Sequence, residues 1–259
     1  MENDEPQTRR RGVYLLPNLF TTATLFGGFY AVIAAMNGDF TGAAIAVIAA
    51  GFADSLDGRI ARLTNTQSDF GKEYDSLCDM VAFGLAASLV IYTWSLHHLG
   101  DYRWLGGKLG WVAAFSYAAC AALRLARFNV VAAGGSGKSD FFGLPSPAAA
   151  GLVVTYMWSM HDLGFDGADM VVPSLIITVG AGVLMVSNIR YSSFKEVKVN
   201  ERAPFWYMFA LIGTLALVSL DPPRVLFLIA LSYAVSGPLL ALRRRTKARK
   251  SAVVESADD

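Results

Sequence analysis

Residues 52–83 read FADSLDGRIARLTNTQSDFGKEYDSLCDMVAF. Four aspartates, Asp54, Asp57, Asp75 and Asp79, stand where one apolar run ends and the next begins. On a helix, positions three and four apart share a face. Asp54, Gly58, Ala61 and Arg62 therefore form one stripe, with Asp57 on its flank, and Gly71, Asp75 and Asp79 form a second. Residues 63–70 are polar enough to be the turn between two antiparallel helices. The pattern predicts a helical hairpin on which two carboxylate stripes face each other. Like charges that close repel unless cations sit between them.

The rest of the chain says what kind of hairpin this is. Of 259 residues, 54% are hydrophobic and only 17% charged, and the mean hydropathy is +0.42. A soluble domain carries roughly 45–50% apolar and about 25% charged residues. The composition excludes a disordered chain, a secreted disulfide scaffold and a polar nucleic-acid module. A bilayer span needs about 20 mainly apolar residues. Eight candidates fit, at about 18–37, 40–60, 74–97, 110–128, 146–160, 172–189, 204–220 and 224–242. The expected fold is an all-α polytopic membrane bundle. Glycine and alanine recur within the spans, as small residues do where helices must approach closely in lipid.

The net charge of +1 hides a segregation. With eight spans and a cytoplasmic N-terminus, 19 of the 22 Lys and Arg residues fall on the cytoplasmic side, leaving only Arg103, Lys108 and Arg224 opposite. The positive-inside rule thus puts both termini in the cytoplasm. The expected division is a basic tail over 1–16, a membrane domain over 17–242, and a basic tail over 243–259 that runs into disorder. Cys78 and Cys120 read as small buried hydrophobes. His97, His98 and His161 read as interfacial residues at non-cytoplasmic helix ends.

An aspartate at a helix centre in the bilayer costs about 2.5–3.5 kcal/mol on the insertion scale. Four together mark a functional site rather than charges pairing at a wet turn. An all-oxygen set suits Mg2+, Mn2+ or Ca2+ and disfavours Zn2+. Gly58, Ala61 and Gly71 leave room for a bulky ligand, and Arg62 beside divalent metal points to a phosphate or pyrophosphate. Metal and arginine around a phosphate is the equipment of phosphoryl-type transfer.

Asp54-x2-Asp57-Gly58-x2-Ala61-Arg62-x8-Gly71-x3-Asp75-x3-Asp79 resembles the complete signature of the CDP-alcohol phosphatidyltransferases. Further stretches resemble one branch, the membrane-embedded phosphatidylserine synthases. These are LPNLFTTATLFGG at 16–28, DGRIARLTNTQSDFGKEYDSLCDMVAFG at 57–84, LRLARFN at 123–129, FFGLPSPAAAG at 141–151 and LMVSNIRYSSFK at 184–195. The last two spans and both tails carry no such likeness. Thr24 departs from the polar residue, often Asn, expected in relatives.

The resemblance implies transfer of a phosphatidyl group from CDP-diacylglycerol to L-serine, giving phosphatidylserine and CMP. It implies two divalent ions, Mg2+ or Mn2+, with Asp54, Asp57 and Asp75 as ligands. Asp79 would touch the second ion and act as general base. Asn18, Thr21, Gly58, Ala61, Arg62, Ser68 and Gly71 would surround the CDP-diacylglycerol. A homodimer in a bacterial-type inner membrane, with its active site facing the cytoplasm, is implied as well. A zwitterionic acceptor needs a cation for its carboxylate, and Arg124, Arg127 and Asn129 cluster where one is wanted. The arginines read equally well as residues snorkelling to headgroups. Competing readings are the same chemistry on glycerol phosphate, inositol or inositol phosphate, a cation transporter, and a non-catalytic lipid-binding scaffold. A transporter would place its acids near the midplane, often between internal repeats; these four acids lie at one side and no repeat is evident.

Overall fold

The computed structural model describes residues 15–64, 68–101, 108–133, 142–191 and 206–255. Eight long helices account for most of them: α1 (Leu15–Met36), α2 (Phe40–Leu63), α3 (Asp69–Trp94), α4 (Leu109–Ala133), α5 (Ser146–Asp162), α6 (Val171–Val186), α7 (Trp206–Leu220) and α8 (Pro222–Glu255). A short 3-10 turn, Leu96–Asp101, follows α3. Among the described residues, β-structure is limited to one isolated bridge between Phe142 and Arg190.

Five stretches are long and apolar enough to cross a bilayer: Asn18–Met36, Phe40–Ile60, Asp69–Trp94, Leu109–Val131 and Pro222–Arg243. Eight helices occur where eight apolar runs predict them, but three are shorter. At about 1.5 Å per residue, the 17 residues of α5 reach roughly 25 Å, less than a bilayer core of about 30 Å. The burial of α5 explains this. Ala149, Ala150, Val153, Val154 and Met157 are all fully buried, and Leu152, Tyr156 and Trp158 nearly so. A helix covered on every side is solvated by protein and need not match the lipid thickness.

Small residues set the close approaches. The α1–α2 hairpin turns at Gly38, whose φ of +79° suits glycine, and Asp39 caps α2 by accepting from the Gly42 N–H at 2.8 Å. Ala31, Ala34 and Ala35 then meet Ala43, Ala44, Ala46 and Ala50 in a tightly packed interior. Within α3, residues Met80–Ala86 form a π-helical stretch directly after Asp79. A Cβ on Gly28 of α1 would sit 2.6 Å from the Ala82 Cα in that stretch. The buried Tyr117 hydroxyl of α4 donates to the Phe83 carbonyl there at 3.1 Å. Gly28→Val has backbone against it, not a yielding side chain. It should cost about 1–3 kcal/mol or more, read as a clear fall in the melting temperature of the detergent-solubilised protein.

Two boundaries differ from expectation. α3 starts at Asp69, inside the turn expected over 63–70, because Ser68 caps it: the Ser68 hydroxyl accepts from the Gly71 N–H at 3.0 Å. α8 continues through Glu255, so the stretch from 243, expected as a tail running into disorder, is helical that far. Arg and Lys are good helix formers, and a helix already nucleated in the bundle propagates through them. The expected N-terminal tail over 1–16 lies almost wholly outside the described residues.

Candidate active site

Three helices meet at the carboxylate end. α2 brings Asp54 and Asp57, α3 brings Asp75 and Asp79, and α1 brings Thr21. Asp54, Asp57 and Asp75 each offer a carboxylate oxygen, and these oxygens all lie within 4.8 Å of one another. Asp57 is only 4% exposed, and the Thr21 hydroxyl donates to its Oδ2 at 2.9 Å. Thr21 therefore fixes a carboxylate of the trio. Asp79 lies one turn beyond Asp75, against Asp54, and its Oδ1 is buried with no hydrogen-bond partner.

A buried carboxylate oxygen without a donor is costly, and three more carboxylates crowd beside it. Divalent cations satisfy both conditions, and the all-oxygen donors suit Mg2+ or Mn2+. Asp54, Asp57 and Asp75 could hold such an ion, with Asp79 beside them against Asp54. The arrangement fits the group that the sequence implies.

Space accompanies the charge. A Cβ on Gly58, one residue past Asp57, would meet nothing within 4 Å, so this face of α2 is open. Gly71 faces the reverse situation. A Cβ there would approach the Ser68 Oγ at 3.1 Å and the Asn18 Oδ1 at 3.8 Å, so glycine lets α3 start close to α1. Asn18, Ser68 and Gly71 are thus brought together, beside Thr21 and Tyr74; the Tyr74 hydroxyl lies 3.0 Å from the Thr22 Oγ1. Ala61 and Arg62 continue the stripe of Asp54 and Gly58 along α2, but their side chains lie outside the described residues. Thr24 is buried, and its hydroxyl donates within the α1–α2 interface to the Phe20 and Ala50 carbonyls at 3.2 and 3.3 Å. The departure at this position is absorbed by packing.

Arg124, Arg127 and Asn129 take three different directions. Arg124 turns inward. Its Nη1 donates to the Ser146 Oγ at 2.8 Å, its Nε is buried without a partner, and Asp79 and Asp54 are among the charges it faces. Arg127 lies over the Phe142 ring, 5.5 Å from its centroid, where Arg190 also lies at 5.4 Å. The Asn129 amide donates to the Ser76 Oγ at 3.0 Å and joins α4 to α3. Sequence reasoning missed Ser146 and took Arg190 only as an orienting charge. Ser146 sits between two prolines, Pro145 and Pro147, which hold it rigidly at the first position of α5. That local signal was legible; its partner, 22 residues away, was not.

An apolar helical bundle with several helices long enough to cross a bilayer is an integral membrane protein, and its converging carboxylates suit a divalent metal. Residues 14–186 match the family model described as CDP-alcohol phosphatidyltransferase. The chain belongs to that family. It is 42% identical over 188 residues to a CDP-diacylglycerol–serine O-phosphatidyltransferase of Helicobacter pylori, covering 73% of this chain and 76% of the relative. A protein of the same name from Mycobacterium bovis is 32% identical over 246 residues, covering 91% and 82%. An archaetidylserine synthase of Methanothermobacter thermautotrophicus is 32% identical over 178 residues, covering 68% and 69%.

Proposed function

We propose that the protein transfers the phosphatidyl group of CDP-diacylglycerol to the hydroxyl of L-serine, releasing CMP. The observation that carries this reading is the carboxylate trio, with Asp79 and its unpartnered oxygen beside it and open space at Gly58 on the same helix as Asp54 and Asp57. The serine acceptor draws support from the relatives' names and from the inward-turned Arg124.

In this reading the acyl chains lie in lipid and the cytidine diphosphate lies over α2, with Gly58 allowing close approach and Arg62 gripping phosphate oxygens. Asn18, Thr21, Ala61, Ser68 and Gly71 border the nucleotide. Asp54, Asp57, Asp75 and Asp79 would hold divalent metal, which would supply Lewis-acid neutralisation of the diphosphate and so favour departure of CMP. Asp79 accepts the proton of the serine hydroxyl as its oxygen attacks the phosphorus bearing diacylglycerol. The new bond is serine O–P; the bond that breaks joins that phosphorus to the bridging oxygen, which leaves with CMP. Arg124 meets the serine carboxylate, while Arg127 and Asn129 shape the surrounding mouth. The distribution of 19 of 22 basic residues supports a cytoplasmic site in an inner membrane, with both termini inside.

The direct test is CMP release from CDP-diacylglycerol with Mg2+ or Mn2+, comparing L-serine with glycerol 3-phosphate, inositol and inositol phosphate. Serine alone should drive release. Release with a different acceptor would reassign the substrate, and no release with any would overturn the enzymatic reading.

A further inference from the structure

Residues 142–146 form a strap whose Ser146 end meets Arg124, a side chain that faces the aspartates, and it is fastened by contacts that the transfer chemistry does not require. The Gly143 N–H donates to the Ile189 carbonyl and the Leu144 N–H to the Leu184 carbonyl, each at 2.9 Å. Gly143 has φ +81°, and a Cβ there would lie 2.1 Å from the Met185 carbonyl oxygen, so only glycine permits this docking. Phe142 bridges to Arg190 and carries the guanidinium groups of Arg127 and Arg190 on its ring. At the other end of the strap, Ser146 is 1% exposed and receives the Arg124 Nη1.

Arg124 is therefore held at one corner of its planar fork. With Nη1 fixed on Ser146, the Nε edge is left buried, with that N–H unpaired, on a side chain that faces the aspartates. A buried N–H of this kind is satisfied by an anion that arrives with the substrate, and the edge of a guanidinium matches a carboxylate. We propose that the strap is the acceptor-specificity element and that Ser146 is a positioning residue, turning the Nε edge of Arg124 toward the acceptor's carboxylate. The proposal rests on the serine reading above. An acceptor with the same hydroxyl and ammonium groups but no carboxylate leaves that donor unsatisfied, which is how a polar site rejects an analogue.

The test compares L-serine with ethanolamine in CMP release by the full-length protein, in nanodiscs with Mg2+. The native protein should favour serine by about 10²-fold or more in kcat/KM. Ser146→Ala should raise the serine KM about tenfold. It should leave the CDP-diacylglycerol KM within about twofold and ethanolamine turnover unchanged, so that the preference narrows. Adding Ser146→Ala to Arg124→Lys should lower the preference no further than Arg124→Lys does alone, because the two changes remove one interaction. Equal losses with serine and ethanolamine, or an unchanged preference, would overturn the role of Ser146 while leaving the serine reading intact. No CMP from the native protein with serine would overturn that reading itself. If the alanine variant does not accumulate, Ser146→Cys, of similar shape with a weaker acceptor, carries the same comparison.

Discussion

Asp79→Asn should reduce CMP release by about 10²–10⁴-fold, the range supplied by a positioned general base, while CDP-diacylglycerol still binds. The amide keeps the shape of the carboxyl group and fits the same buried position against Asp54. What it lacks is the ability to take the serine proton at the oxygen that the structure leaves without a partner. The measurement pairs single-turnover CMP release with retention of radiolabelled CDP-lipid on the purified variant. An Asn variant that turns over normally would remove Asp79 from the base role. Loss of lipid retention together with turnover would instead assign it to substrate binding.

A loss of similar size is expected when the metal trio is broken. Asp57→Ala removes one carboxylate of the three, on a residue only 4% exposed, together with the hydrogen bond that Thr21 donates to it. Lewis-acid stabilisation is worth several kcal/mol, so activity should fall by about 10³-fold. Mn2+ binding, followed by the loss of the free-ion resonance signal, should weaken in parallel. Chelation of the native protein should abolish CMP release, and Mg2+ or Mn2+ should restore it where Zn2+ does not, because hard oxygen donors favour the former. Native turnover that survives complete chelation would separate the trio from the chemistry.

The helices and the acids were legible in the sequence because both obey short-range rules. Apolar runs announce helices, and acids three and four apart announce a shared face, so the hairpin carrying Asp54, Asp57, Asp75 and Asp79 could be drawn before any coordinates. The exact start of α3 was not, since Asp69 and Phe70 fall in the stretch read as a turn until Ser68 is seen to cap the helix. The π-helical stretch after Asp79 leaves no mark in hydropathy and depends on packing against Gly28. Arg124 shows the remaining limit. An arginine near the end of an apolar run looks the same whether it reaches outward to headgroups or inward to a serine on another helix, and only the partner at position 146 decides.

The short, enclosed α5 has a consequence for biogenesis. A segment of 17 residues whose faces are covered by protein is a poor candidate for stable residence in lipid on its own. It must wait for companions. One of them is α8, which supplies Phe227 against Tyr156, with ring centroids 5.7 Å apart, and accepts the Tyr191 hydroxyl at the Ala234 carbonyl. This companion lies C-terminal to α5 and is made after it. The cover over α5 is thus completed only once α8 has been made. A nascent chain stopped before α8 would carry all four aspartates yet lack the cover that Phe227 and Ala234 supply.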